Sequence, residues 1–247
     1  MAEDDMESQI LPIISDFDDQ NMDKFVEGLD SLEKILTSML PHIENQRNTV
    51  VKSGKIGKFL KLQDNFQFNI TQHLVKCNDL IYENIDDIST ELIIRYTRSL
   101  QGILLIHPSS RTIFNSNIQM TKVLKFIELD NSKYPFEINI SFISLLLHIL
   151  LKDLKNFRTF ETCNGCSIII KKLNLSDFQL KNPSKNSKSD QQVLNFKIIE
   201  FLIFYLNEED KFDFPDKKTV KQKSDFFRKD FPGIDNLIES LNDLKNI

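Results

Sequence analysis

Residues 92–114 read LIIRYTRSLQGILLIHPSSRTIF, an apolar helix that ends at a proline and passes into a Ser-Ser-Arg turn. Leu92, Ile93, Tyr96, Leu100, Ile103 and Leu104 recur at three- and four-residue spacings and form one stripe, while Arg95, Arg98 and Gln101 lie elsewhere on the helix. Ser89 or Thr90 is placed to cap its start. Pro108 stops it, because proline has no N–H to donate and disfavours helical geometry at His107 before it. Ser109 or Ser110 then offers an oxygen to the amides of the next short helix. The pattern predicts a tight corner between two helices.

That corner has an echo. Leu104, Leu105, Arg111, Thr112 and Ile113 return 47 residues later as Leu151, Lys152, Arg158, Thr159 and Phe160. Armadillo and HEAT repeats have periods of about 40–47 residues, so the expectation is an all-α chain wound as an armadillo/HEAT-like superhelix with a groove for another chain. Periodicity predicts about eight helices in all. One covers 25–40 through Phe25, Leu29, Leu32, Leu36 and Met39 and is ended by Pro41. Another covers 59–81 and breaks near Asp64 or Asn65, whose side chains compete for backbone bonds. Further helices are expected over 118–129, 136–151, 163–175, 193–206 and 234–244. The stretch 136–151 is apolar all round, which places it centrally.

Around this array, residues 1–20 are acidic and expected to be flexible, 21–206 form the helical domain, and 207–247 form a charged linker with a short terminal helix. A polar, lysine-rich insertion is expected at about 177–191, within which 181–190 has almost no apolar residue. Up to residue 33 the only basic side chain is Lys24. The acidic start reads as a solvated tail or as a docking tail for a basic partner.

Composition narrows the class. Apolar residues make up 40% and charged residues 27%, with only six glycines and seven prolines, fewer turn-formers than a strand-rich sandwich uses. A net charge of −5 argues against general nucleic-acid binding, which needs clustered Lys and Arg. The start has no apolar run of signal-peptide type, and the apolar stretch 140–151 is interrupted by Ser141, Ser144 and His148 and is too short to span a bilayer. Without secretion, the glycosylation patterns at Asn69, Asn139 and Asn174 are chance matches. Three cysteines fit a reducing compartment.

Chemistry is sparse. Cys163-Asn164-Gly165-Cys166 has the spacing of a redox pair or half a zinc site, but Cys77 is its sole further cysteine and no strand precedes it. Two small residues packing at a corner explain it better. His42, His73, His107 and His148 show no metal spacing; His148 suits a hydrogen-bonded core position and His107 a turn-stabilising one. Residues 52–58, KSGKIGK, miss the phosphate-loop pattern, and kinase motifs are missing too. No catalytic residue, cofactor, metal or small-molecule substrate is expected. Arg111 and Arg158 stand either for pairing with a helix C-terminus or for partner contact. Phe66, Phe68, Phe157 and Phe160 read as core or as binding anchors.

Four segments together resemble a known family: FLKLQDNFQFNIT at 59–71, LQGILLIHPSSRTIF at 100–114, NFRTFE at 156–161 and IIEFLIFYL at 198–206. They are similar to the fungal cell division control protein 14 family of the septation initiation network, which is distinct from the phosphatase of the same name. The resemblance covers about 25–206. It implies a non-catalytic, armadillo-like partner of a germinal-centre-family protein kinase, cytoplasmic and recruited to the spindle pole body in mitosis, that promotes septum formation. Partner contact is expected among Gln63, Phe66, His107, Arg111, Phe157 and Arg158. The alternatives are a general helical scaffold for a linear peptide and an enzyme built on Cys163 and Cys166.

Overall fold

A computed structural model describes residues 6–45, 54–174, 190–210 and 212–245. Among them every regular element is helical, thirteen α-helices with short 3-10 turns and no strand, so the all-α expectation holds. The chain divides into two compact units, Met1–Ile113 and Phe114–Ile247.

The first unit holds α1 (Met6–Asp18), α2 (Met22–Asn45), α3 (Lys55–Gln63), α4 (Ile70–Leu74), α5 (Cys77–Glu83) and α6 (Thr90–Ile106). Helix α1 corrects, over its own residues, the flexible start expected at 1–20, of which 1–5 lie outside the described residues. Met6, Ile10, Ile13, Ile14 and Phe17 are buried at helical spacing beneath its acidic face, and α1 packs on α2, α3 and α4. Asp18 fastens its end, 2.7 Å from Lys76 Nζ and 2.9 Å from His73 Nδ1. Gly28 of α2 lets α1 approach, since a Cβ there would sit 2.9 Å from the Phe17 ring. Helix α2 runs through Pro41, where an end was expected. Proline removes one donor and crowds the preceding turn, yet its own φ is helical, so one more turn can follow it. Phe17, Phe25 and Tyr96 form a chain of tilted rings through the core, centroids 6.2 and 6.0 Å apart. The stripe on α6 is buried from Ile93 to Leu104 with Leu92 half-buried, and Ser89 caps the helix by accepting from the Leu92 amide.

The second unit holds α7 (Asn117–Glu128), α8 (Phe136–Leu150), α9 (Leu154–Thr162), α10 (Gly165–Ile170), α11 (Asp190–Tyr205), α12 (Val220–Arg228) and α13 (Ile234–Lys245). Helix α8 is central, packed by α7, α9 and α11. Its buried Asn139 donates to the Ile127 and Phe126 carbonyls at 2.9 and 3.1 Å and so closes the end of α7. The helix expected over 163–175 is only α10, preceded by a separate α9. Asn164 turns between them at φ 62°, and Gly165 is required because a Cβ would stand 2.1 Å from the Phe160 ring. The charged linker expected after 206 contains α12, opened by a Thr219–Gln222 capping box. The insertion expected at 177–191 lies, up to 189, outside the described residues.

The 47-residue echo joins elements of unlike geometry. Helix α6 stops at Ile106, and Arg111 falls in a 3-10 turn over Pro108–Asn115. Helix α8 stops at Leu150, and Arg158 falls in the middle of α9.

Candidate partner-binding corner

The first two family-like segments meet in the first unit. Helix α3 ends at Gln63, and the break expected at Asp64 or Asn65 is a 3-10 turn over Phe66–Phe68. Gln63 is buried and bridges the break: its Nε2 donates to the Phe68 carbonyl at 3.1 Å and its Oε1 accepts from the Ile70 amide at 2.9 Å. Asn69 begins α4 and accepts from the Gln72 amide, while its Nδ2 donates to the Gln63 carbonyl at 2.7 Å and to Ser110 Oγ at 3.0 Å. Ser110 belongs to the HPSSR turn, so Asn69 ties the two segments together across 41 positions of sequence.

His107 completes the tie. Its Nε2 lies 2.9 Å from Asp64 Oδ1 and its Nδ1 2.8 Å from Ser110 Oγ. An ionised carboxylate only accepts, which puts the proton on Nε2 and leaves Nδ1 to accept from the serine hydroxyl. Asp64, His107 and Ser110 thus form a carboxylate–imidazole–hydroxyl chain, with the ring nitrogens reversed from those of a nucleophilic triad. Ser110 is only 1% exposed and already accepts from Asn69, so a substrate carbonyl has no approach to it. The chain of bonds fixes a corner instead. Arg111 folds back to donate from Nη2 to the Leu104 carbonyl at 2.9 Å, closing the last turn of α6.

This rigid frame turns one side chain outward. Phe66 is 75% exposed at the tip of its 3-10 turn, although a core place was its default reading. Exposed Asp64, Asn65 and Gln67 flank it.

The other two segments meet in the second unit, where aromatic rings turn inward. Phe157 stacks on Tyr205 with centroids 5.6 Å apart, and Phe160 meets Phe201 and Tyr205 at 5.5 and 5.8 Å. Tyr205 donates its hydroxyl to Glu161 Oε1 at 2.7 Å. Arg158 pairs with Glu209 at 2.5 Å and with Glu161 at 3.2 Å, rather than with a helix end. Lys218 reaches Glu161 at 3.0 Å, and Lys223 of α12 reaches Glu209 at 3.3 Å. Lys223 is 1% exposed and donates to the Tyr205 and Asn207 carbonyls at the end of α11. Three cations thus face two carboxylates, and the negative end of a helix takes up the excess. Burial lowers the Lys223 ammonium pKa from its ordinary range and raises the Tyr205 phenol far above its own.

The structure therefore brings Gln63, His107, Arg111 and Phe66 to one corner and sets Phe157 and Arg158 in a separate interior cluster. Sequence reasoning missed Glu209, Lys218 and Lys223, which lie in a stretch whose charge alone suggested a solvated linker. The Cys163 and Cys166 pair is structural in its surroundings: Cys166 is buried and burial raises its thiol pKa, against nucleophilic use. Among the described residues no cluster of His, Cys, Asp and Glu could hold a metal, and no helix is long and apolar enough to cross a membrane.

Comparison with known proteins agrees with this arrangement of motifs. The chain is 28% identical over 160 residues to cell division control protein 14 of Schizosaccharomyces pombe, an alignment covering 61% of this chain and 60% of that protein. The chain thus spans about 60% of the length of the curated relative it matches. No solved structure matches it. The family model described as "Cell division control protein 14, SIN component" matches residues 6–214, which takes in all four motif segments. The chain belongs to this family of cell division control proteins, the septation initiation components rather than the phosphatase.

Proposed function

We propose that the chain is a non-catalytic regulatory subunit that binds a germinal-centre-family protein kinase in septation initiation, with Phe66 as a principal anchor. Family membership supports the pathway. The observation that carries the site is the Phe66 ring, 75% exposed on a turn whose backbone is pinned by Gln63 and Asn69. A pre-positioned aromatic side chain loses little entropy on docking and can supply much of the energy of an interface. The chain's helices follow an armadillo/HEAT-like repeat pattern. The kinase is shifted toward its active form because that form is bound more tightly than the inactive one, and the complex is recruited from the cytoplasm to the spindle pole body in mitosis.

Affinity purification of the tagged chain from mitotic cells, wild type against Phe66→Ala, tests this. The expected result is stoichiometric recovery of a germinal-centre-family kinase with wild type and its loss with the variant. Recovery of unrelated partners without any kinase would leave a general peptide-binding scaffold in its place.

A further inference from the structure

The second unit contains a polar cavity of about 590 Å³ that no part of the kinase-binding proposal uses. Lys171 and Lys172 border it at the end of α10, Asp130 and Asn131 from the loop after α7, and Gln191 from the start of α11. We propose that this cavity binds a phosphate monoester, with Lys171 and Lys172 as its cationic donors.

The frame around it is built. Asn195 is fully buried and clamps Asn174, accepting from its amide at 3.0 Å and donating to its carbonyl at 2.8 Å. Gln191 donates to the Lys172 carbonyl at 3.1 Å. These bonds hold the chain from Lys172 to Asn174 as a fixed lip. The lip carries donors that the fold does not consume. Lys172 Nζ donates to the Leu129 carbonyl and to Asn131 Oδ1, both neutral acceptors, and an ammonium has three hydrogens. Its half-burial without a bonded carboxylate lowers its pKa, and an incoming dianion would relieve that cost. Lys171 is 60% exposed at its side chain and makes a loose ion pair with Asp230 at 3.7 Å, which an incoming phosphate would share.

The carboxylates nearby are occupied. Asp130 accepts from the Ser132 amide at 2.9 Å and from its hydroxyl at 2.7 Å, and Asp230 accepts from Ser167 Oγ at 2.5 Å. Glu128 also faces Lys172, so three carboxylates stand around the two ammonium groups, and selection rests on short-range contact with those groups rather than on a long-range field. A phosphate offers three strong acceptors. The cavity is larger than one phosphate, and Leu173 and Phe231 give it apolar walls for a residue beside a phosphorylated serine or threonine.

The shared chemistry is the phosphate, and its source is a phosphopeptide or free phosphate. The test uses the full chain, with inorganic phosphate, a phosphoserine peptide and its unphosphorylated form as probes, followed by nitrogen-15 NMR. Both phosphate probes are expected to move the side-chain amide signals of Gln191 and Asn131, and the bare peptide to leave them in place. Lys171→Gln is expected to weaken binding about tenfold, the scale of one charge-assisted hydrogen bond. Its exposed position leaves the fold intact. Tighter binding of the phosphopeptide assigns the site to a protein ligand, and equal binding assigns it to free phosphate. No shift with either phosphate probe, or undiminished binding by Lys171→Gln, overturns the proposal.

Discussion

The two motif pairs of this chain are bound together by opposite means. In the first unit, amides, a hydroxyl and an imidazole, with one exposed carboxylate at the end, pass hydrogen bonds around a corner and turn Phe66 outward. In the second, three cations and two carboxylates close over rings turned inward. The arginines at matching places in the echo show the divergence most plainly. Arg111 caps a helix carbonyl, while Arg158 balances a buried carboxylate. Similar sequence after a corner therefore does not fix what the side chain meets; the element that follows decides it. A 3-10 turn carries Arg111 back over α6, and a full helical turn in α9 carries Arg158 toward the segment beyond α11.

The sharpest break of this contrast is Glu209→Gln. It leaves Lys223 buried against a neutral amide and Arg158 with Glu161 as its remaining carboxylate, a change of the kind that costs about 3–5 kcal/mol. Urea denaturation is expected to show an unfolding free energy lowered by that amount, and the analogous Asp64→Asn in the exposed corner to show far less. Gly165→Ala follows, because its Cβ needs space held by the Phe160 ring; overpacking of this kind costs about 1–3 kcal/mol. Asn69→Ala removes the tie between the corner segments and strands polar groups around Ser110, with a loss of about 1–3 kcal/mol in the same measurement.

Alkaline pH acts on both units by the same route. Burial raises the Cys77 thiol in the first unit from 9.0 to about 12. A raised pKa means that the folded state holds its proton longer, so this stability is fully present below pH 9.0 and is lost as pH rises toward about 12. Cys77→Ala is expected to flatten that decline in a pH series of thermal melts. In the second unit Tyr205 and Cys166 shift in the same direction, again through burial.

Much of the helical content was legible because long amphipathic stripes survive in sequence. The stripe on α6, its stop at Pro108 and the break at Asp64 all follow from backbone chemistry within a few residues. Helices α1, α9 and α12 were not legible. In α1 the apolar stripe is hidden by acids counted as a tail; α9 and α12 are nine residues each, too short for a period to stand out. The inward cluster was invisible for a further reason. Glu209 and Lys223 look solvated in any local window, and only the return of α12 to the end of α11 removes them from water. Phe66 presents the reverse case, an aromatic in an amide-rich stretch whose exposure depends on how Gln63 and Asn69 pin the turn.

The central claim is that this exposed ring serves binding and not folding. Phe66→Ala should stay within about 0.5 kcal/mol of wild type, as surface substitutions do. Titration of the purified germinal-centre-family kinase with wild type and Phe66→Ala, alongside urea denaturation of both chains, measures the two properties together. The account predicts unchanged stability with affinity weakened about thirtyfold or more, the mark of an interface hot spot worth about 2 kcal/mol. Equal affinity of the two chains for the kinase would contradict it.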